Sequence, residues 1–186
     1  MQEKDISAAS TFFVEAQKIC PLNKEIVFYK TSVMVVPLIE TLNKEELSQA
    51  EIKRRLDPVI AEIDSGILKQ SKSEHFLHFY RGLLYLYMQE FDKAVVDLYQ
   101  AIKNNEESSA KYHMYLGLAY GCMNLLKEAM KDFTVVIKLK EDFVDAYYNR
   151  GKCAYLLGNA DLAFTDFQKL LLLRPVFYFV TVRMIR

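Results

Sequence analysis

One pattern of small and large residues occurs three times in this chain and decides its fold. It reads FYRGLLYLYMQEFDKAVVDLYQAI at residues 79–102, MYLGLAYGCMNLLKEAMKDFTVVI at residues 114–137 and YNRGKCAYLLGNADLAFTDFQKLL at residues 148–171. Each stretch has a glycine and, twelve residues later, an alanine: Gly82 and Ala94, Gly117 and Ala129, Gly151 and Ala163. The glycines are 35 and then 34 residues apart. A fixed period of this length indicates a chain built from structural repeats.

The spacing predicts that each repeat is a pair of amphipathic helices. We expect the turns near Gln89–Glu90, Asn124–Leu125 and Gly158–Asn159, because Asn and Gly tolerate positive φ. The glycine then lies midway along the first helix and the alanine early in the second, where small side chains let the axes approach. The adjoining space is predicted to be filled by the large residues four positions after each alanine, Leu98, Phe133 and Phe167. The predicted helix caps are Asp142 with Asp145, Ser73 and Ser108.

The repeats divide the chain into three parts. The central part, residues 73–175, holds repeat units at 75–106, 110–141 and 144–175. Residues 1–72 are a predicted N-terminal helical segment, with helices over 5–19 and 23–36. Helices over 45–56 and 58–70 would form a degenerate repeat at about residues 40–72, with Leu47 and Val59 at the small positions. The apolar tail at 176–186 fits a truncated chain, a longer array cut short or a surface covered by a partner.

Composition excludes several classes of function. Twenty-four basic residues balance 24 acidic ones, so the net charge of the chain does not favour binding to nucleic acid or anionic lipid. No apolar stretch reaches the roughly 18 residues of a membrane-spanning helix, and no secretory signal is recognisable at the N-terminus. Three scattered cysteines, Cys20, Cys122 and Cys153, fit a reducing intracellular setting. We therefore expect a cytoplasmic protein.

The sequence contains no recognisable motif for catalysis, a cofactor or a metal, so we predict a protein that is not an enzyme and needs no cofactor. His75 and His78 have a helical spacing that suits chelation, but no third ligand follows at a known spacing. His78 and His113 occupy equivalent repeat positions, which predicts a structural role for both. The carboxylates that recur beside lysines on the second helices are predicted to lie on a solvated, salt-bridged face, namely Asp92, Asp97, Glu128, Asp132 and Asp166.

The repeat resembles that of the tetratricopeptide repeat (TPR) family, a helix–turn–helix unit of about 34 residues with the same small, small and aromatic positions. Tyr147 stands at the family's aromatic fourth position, and Pro175 stands at its closing proline. Arg81 and Arg150 depart from the family, which has leucine before the glycine. The resemblance implies an all-α, right-handed superhelical solenoid of antiparallel helix pairs. It also implies a non-enzymatic scaffold for protein–protein interaction.

In that family the first helices line a concave groove that binds a partner helix or peptide. The resemblance therefore implies that the groove residues are Phe76, Phe79, Tyr80, Leu83, Tyr87, Met114, Tyr115, Leu118, Tyr148, Asn149 and Lys152, with Tyr155 and Leu156 further along the third unit. Tyr- and Met-rich surfaces give large contact area with adaptable packing. The alternative is that the N-terminal helices cover Phe79, Tyr80 and Leu83. The protein would then be a structural subunit of a larger intracellular assembly, with its groove filled by its own chain.

Chaperone-binding members of the family hold a C-terminal carboxylate with paired Lys, Arg and Asn side chains. The corresponding residues in one register are Phe79, Leu83, Tyr115, Asp145 and Asn149. In the register one repeat later they are Met114, Leu118, Asn149, Phe179 and Arg183. Neither set completes the clamp. We therefore predict that the chain does not bind the acidic C-terminal tails of Hsp70 or Hsp90.

Overall fold

The computed structural model of the chain describes residues 24–69, 75–105 and 109–174, together with positions 11, 15, 16, 18 and 19. Helices and turns make up these ranges, and no strand occurs within them. In chain order the helices are α1 (Lys24–Leu42), α2 (Gln49–Lys69), α3 (His75–Tyr87), α4 (Phe91–Lys103), α5 (Ala110–Cys122), α6 (Leu126–Leu139), α7 (Val144–Leu156) and α8 (Ala160–Leu173). The predicted all-α fold of helical repeats is confirmed, and the right-handed sense of its superhelix stays a prediction.

The chain forms two compact units, residues 1–104 and residues 105–186. In unit 1, α3 and α4 pack as a hairpin, and both α1 and α2 contact α3. In unit 2, α5 pairs with α6 and α7 pairs with α8, while α7 also packs against α6 and α5. The three hairpins are the three predicted repeats. No described helix is both long and apolar enough to cross a membrane.

The turns of the three hairpins lie where the sequence predicts them. Gln89, Asn124 and Gly158 have φ of 59°, 60° and 77°, and each follows the first helix of its repeat. The residue after each of these three donates its backbone N–H back to a carbonyl near the end of the first helix. Glu90 N–H donates to Tyr85 C=O at 2.9 Å. Leu125 donates to Tyr120, and Asn159 donates to Ala154, both also at 2.9 Å. These are Schellman-type ends, in which a residue of positive φ lets the helix stop and reverse.

Each repeat glycine lies at a close contact between its two helices. A Cβ atom at Gly117 would lie 2.7 Å from Phe133 Cε1, and one at Gly151 would lie 3.0 Å from Phe167 Cε1. At Gly82 the nearest atoms belong to Leu98, Asp97 and the carbonyl of Ala94, at 3.0 to 3.3 Å. A side chain at these places would push the helices apart. The glycine therefore faces chiefly the large residue four positions after the alanine. Ala94, Ala129 and Ala163 are themselves buried.

The N-terminal segment differs from the prediction. The helix predicted at 23–36 is present as α1 and continues through Pro37 to Leu42. The predicted pair at 45–56 and 58–70 is wrong, because α2 is one helix with Pro58 inside it. Its buried face runs across the proline through Leu56, Ile60 and Ile63, so packing favours a continuous helix. Leu47 precedes α2 and Val59 lies within it, so the two are not the small positions of a hairpin.

The predicted helix caps are mostly absent or untested. Phe143, and not Asp142, precedes α7, and its side chain makes no capping hydrogen bond. Phe143 instead packs against the apolar core of unit 2, which fixes where the helix begins. Asn159 caps α8, since its Oδ1 accepts from Leu162 N–H at 3.2 Å. Ser73, Ser108 and the tail at 176–186 lie outside the described residues, as does most of the helix predicted at 5–19.

Candidate partner-binding surface

In unit 1, most of the residues predicted to line an open groove are buried, and α1 packs against two of them. Phe76, Phe79, Tyr80 and Leu83 of α3 are all buried. Phe28 of α1 packs edge-to-face on Phe76, with ring centroids 5.3 Å apart, and lies 6.4 Å from the Tyr80 ring. The Tyr87 hydroxyl donates to Asn43 Oδ1 in the α1–α2 connection at 3.1 Å. Phe76, Tyr80 and Tyr87 of the predicted groove are therefore in contact with the N-terminal part of the chain.

Helix α1 fits this position for physical reasons. One face of α1 is buried through Val27, Thr31 and Val35, and the Thr31 hydroxyl donates to the Val27 carbonyl at 2.8 Å. Its polar atom is thus satisfied within the helix. Burying a large apolar side chain contributes about 1.5–3 kcal/mol, so leaving four of them on α3 in water would be costly. Burial also raises the pKa of the Tyr80 hydroxyl, against the opposing effect of a hydrogen bond with Ser32.

In unit 2, the predicted groove residues divide into buried and exposed. Met114 belongs to the apolar core, while Tyr115, Leu118 and Asn149 are half-buried. Tyr148 is 50% exposed and Lys152 is also exposed. Tyr155 and Leu156 are 70% and 58% exposed. The accessible part of the predicted groove therefore lies on α7.

Four residues of α7 form one continuous stripe, which we call the α7 surface: Tyr148, Lys152, Tyr155 and Leu156. Their spacing of four, three and one residues places them on one side of a helix. The Tyr148 ring lies 6.4 Å from the Phe167 ring of α8, and this contact orients it. Asn149, beside the stripe, donates from Nδ2 to the Asp145 carbonyl at 2.7 Å. The surface offers two aromatic rings, an aliphatic side chain and one cation.

The repeated carboxylates are not all on a solvated face, and that prediction is wrong for two of them. Asp97 and Asp166 are 2% and 1% exposed. Arg81 donates to both oxygens of Asp97 at 2.7 Å, and Arg150 donates to both oxygens of Asp166 at 2.8 and 2.6 Å. The arginines that depart from the TPR pattern therefore tie the first helix of a repeat to its second. A buried carboxylate is stable only when it is paired in this way.

The histidines take part in the same contacts. His78 Nδ1 lies 3.0 Å from Asp97 Oδ1, and His113 Nδ1 lies 2.7 Å from Asp132 Oδ1. Burial alone would raise the pKa of Asp97, but the hydrogen bonds from Arg81 and His78 outweigh it and lower that pKa. Asp97 is therefore an ionised, fully paired carboxylate, which suits a structural role and not proton transfer. No cluster of three potential metal ligands occurs in the described part of the chain.

Comparison with known proteins agrees with this architecture. The tetratricopeptide repeat family model matches residues 145–175, which are the third repeat. The crystal structure of MamA superposes with a TM-score of 0.71, covering 93% of this chain and 91% of that one at 20% identity. The third repeat therefore has the tetratricopeptide repeat signature, and the fold of the chain is similar to that of TPR proteins. No curated protein matches the chain by sequence.

Two further TPR structures with a similar fold involve peptide binding. YrrB, described as a TPR protein with an unusual peptide-binding site, has a TM-score of 0.67 at 17% identity, covering 92% of this chain and 79% of that one. The second TPR domain of Spaghetti (RPAP3), bound to the HSP90 peptide SRMEEVD, has a TM-score of 0.52 at 25% identity. It covers 57% of this chain and 98% of that one. The similarity to MamA and YrrB shows a shared fold. In this chain, the repeat with the TPR sequence signature also carries the α7 surface.

Proposed function

We propose that this TPR protein is a non-enzymatic protein-interaction scaffold and that its α7 surface binds a partner helix or extended peptide. The observation that carries the proposal is the row of three large apolar side chains along one helix face, Tyr148, Tyr155 and Leu156, each at least half exposed. Contiguous exposed apolar residues on a folded protein are typical of interaction sites. The peptide-binding site of YrrB and the peptide complex of the second RPAP3 TPR domain support a scaffold function.

The chemistry of the α7 surface indicates what it would recognise. Tyrosine rings give a large contact area and lose little side-chain entropy on binding, which is why they are frequent at binding hot spots. Lys152 stands between Tyr148 and Tyr155 and would pair with a carboxylate on the partner. We therefore expect a segment with apolar side chains along one side and an acidic residue near its middle.

Peptide display against the full chain tests this proposal. Peptides selected on the native protein should bind the double variant Tyr148→Ser/Tyr155→Ser at least about tenfold more weakly, because two hot-spot rings are lost. Tyr99→Ser is the matched control, since Tyr99 is 57% exposed but lies on α4 in unit 1. Its affinity should remain at the native value. Selected peptides that bind the double variant as tightly as the native chain would contradict the proposal.

A second candidate function, a structural subunit of a larger assembly, is favoured by one observation on α8. Phe164 is 64% exposed, whereas Met130, its equivalent 34 residues earlier, packs against the core of unit 2. A helix from a neighbouring subunit would cover Phe164. Sedimentation velocity of native protein and Phe164→Ser tests this function. An assembly that the substitution dissociates supports it, and a monomeric native protein in cell extract contradicts it.

A further inference from the structure

A groove on α6 has chemistry unlike that of the α7 surface. It has a volume of about 470 Å³, and its lining includes three lysines and three apolar residues, Lys127, Lys131, Lys138, Met130, Val135 and Leu157. We call it the lysine groove. The α6 residues lie three or four positions apart, so they share one side of the helix. Leu157, the residue directly after the end of α7, forms the opposite border of the groove.

The three lysines of the groove are exposed and have no ion-pair partner among the described residues. Lys127 and Lys131 are four positions apart on the same helix, an arrangement of like charges that destabilises a helix. Some other cations of the chain are paired, for instance Arg54 and Arg55 with Glu51 on α2. The groove therefore gathers three lysines that form no ion pair with the described residues.

The surface between the lysines is apolar. Met130, Val135 and Leu157 present hydrocarbon and thioether groups to the groove. Thr134 also lines it, but its hydroxyl donates to the Met130 carbonyl at 2.7 Å and accepts from Arg150 Nη1 at 3.2 Å. That hydroxyl is thus occupied within the protein. An apolar strip bordered by cations matches a ligand that has apolar groups in its centre and carboxylates along its edges.

We propose that the lysine groove binds an acidic amphipathic helix of a partner protein. The helix would place leucine, methionine or phenylalanine against Met130, Val135 and Leu157, and its Asp or Glu side chains would pair with the lysines. From Lys127 to Lys138 the groove extends over eleven residue steps, which is about 16 Å of helix, so three turns of a partner helix fill it. Charge complementarity favours this ligand over a basic or neutral one. The groove shares no residue with the α7 surface, so this inference is separate from the function proposed above.

Fluorescence anisotropy tests the inference with a designed peptide of about 18 residues, long enough to form a helix. It carries leucines at helical spacing flanked by glutamates, and a matched peptide has lysine in place of every glutamate. The acidic peptide should bind the full-length protein, and added salt should weaken the binding. Lys127→Glu/Lys131→Glu should reduce its affinity about tenfold or more. Lys140→Glu, the same charge change at an exposed lysine outside the groove, should leave the affinity within about twofold.

Several outcomes would overturn the inference. These are equal binding of the acidic and basic peptides, no binding of either, or an affinity that the double substitution leaves unchanged. Binding of phosphatidylserine vesicles without binding of the acidic peptide would assign the groove to lipid and also overturn it. Circular dichroism should show that the double variant retains native helicity. If it does not, Lys127→Ala/Lys131→Ala replaces it, with Lys140→Ala as control and the same outcomes deciding.

Discussion

At the scale of single residues, the three repeats differ in how they pair an equivalent aspartate of the second helix. Each has an aspartate at the same place in its second helix, and the first helix supplies its partners. Asp97 and Asp166, with side chains 3% and 1% exposed, are held by an arginine through two hydrogen bonds. Asp132 is 14% exposed and contacts His113, while Leu116 stands where the other repeats have arginine. The deeper carboxylates therefore have the stronger cationic partners, as the cost of burying charge requires.

Removing one partner of a buried pair should cost more than removing both. Arg150→Leu leaves Asp166 buried without its partner, and we expect the free energy of unfolding to fall by about 3–5 kcal/mol. Arg150→Leu/Asp166→Leu should recover most of this loss, because no charge is then left unpaired. Urea denaturation of the two single variants and the double variant gives the coupling energy. A double variant as unstable as the sum of the single variants would contradict the expectation.

The pH dependence of stability should report the Asp97 pair. Because the folded-state pKa of Asp97 lies below the ordinary value of 3.8, its contribution is complete above that value. It is lost progressively as the pH falls through 3.8 towards the folded-state pKa, since the unfolded chain takes up the proton first. Urea midpoints between about pH 7 and pH 3 should fall less for Asp97→Asn than for the native protein. Asp92→Asn, at an exposed carboxylate of the same helix, is the control and should follow the native curve.

At the scale of helices, the turns should respond to substitutions according to their φ. Gln89 has φ of 59°, a conformation that costs a residue with a side chain about 1 kcal/mol relative to glycine. Gln89→Gly should therefore stabilise the protein by about 1 kcal/mol, and Asn124→Gly by less, because asparagine tolerates this conformation better. Thermal and urea unfolding measure the change. Gly158→Ala is the converse control and should destabilise by a similar amount, whereas a stabilising effect there would contradict the argument.

The sequence predicts the three hairpins well because their signals are local. A residue that accepts positive φ, at Gln89, Asn124 or Gly158, lies between two amphipathic stretches, and one hairpin needs no further information. The prediction placed a helix boundary at Pro58 because proline is common in the first turn of a helix. Proline can also lie inside a helix when the packing of its apolar face keeps the helix continuous, as it does in α2. The deciding signal was the apolar face through Leu56, Ile60 and Ile63, which does not change direction at the proline.

At the scale of the whole chain, the sequence predicts which residues belong to the first helices but not which remain accessible. Phe79 and Tyr148 are both aromatic groove residues by repeat position, yet one is buried and the other half exposed. Both α1 and α2 pack against α3, through contacts such as Phe28 on Phe76 that are remote in sequence. The burial of Asp97 was missed for a related reason. Aspartate is usually exposed, and its partner Arg81 lies 16 residues away on another helix.

The accessible residues also lead us to expect that this chain does not bind an Hsp90 tail, although the second TPR domain of RPAP3 is bound to the HSP90 peptide SRMEEVD. A carboxylate clamp needs cations and free amides directed at the peptide terminus. Here Phe79 and Leu83 are buried apolar residues at clamp positions, and Asp145 would repel a carboxylate. The Asn149 amide already donates to the Asp145 carbonyl.

Anisotropy with labelled SRMEEVD peptide checks this expectation, with the second TPR domain of RPAP3 as positive control. The native chain should show no saturable binding at peptide concentrations that saturate the control. If saturable binding occurs and Asn149→Ala abolishes it, the clamp is present and the expectation is wrong. If binding occurs but Tyr148→Ser/Tyr155→Ser abolishes it while Asn149→Ala does not, the peptide is held by its apolar side chains on the α7 surface. The charge of its terminus would then contribute little, because the cations that would hold it are missing from the clamp positions.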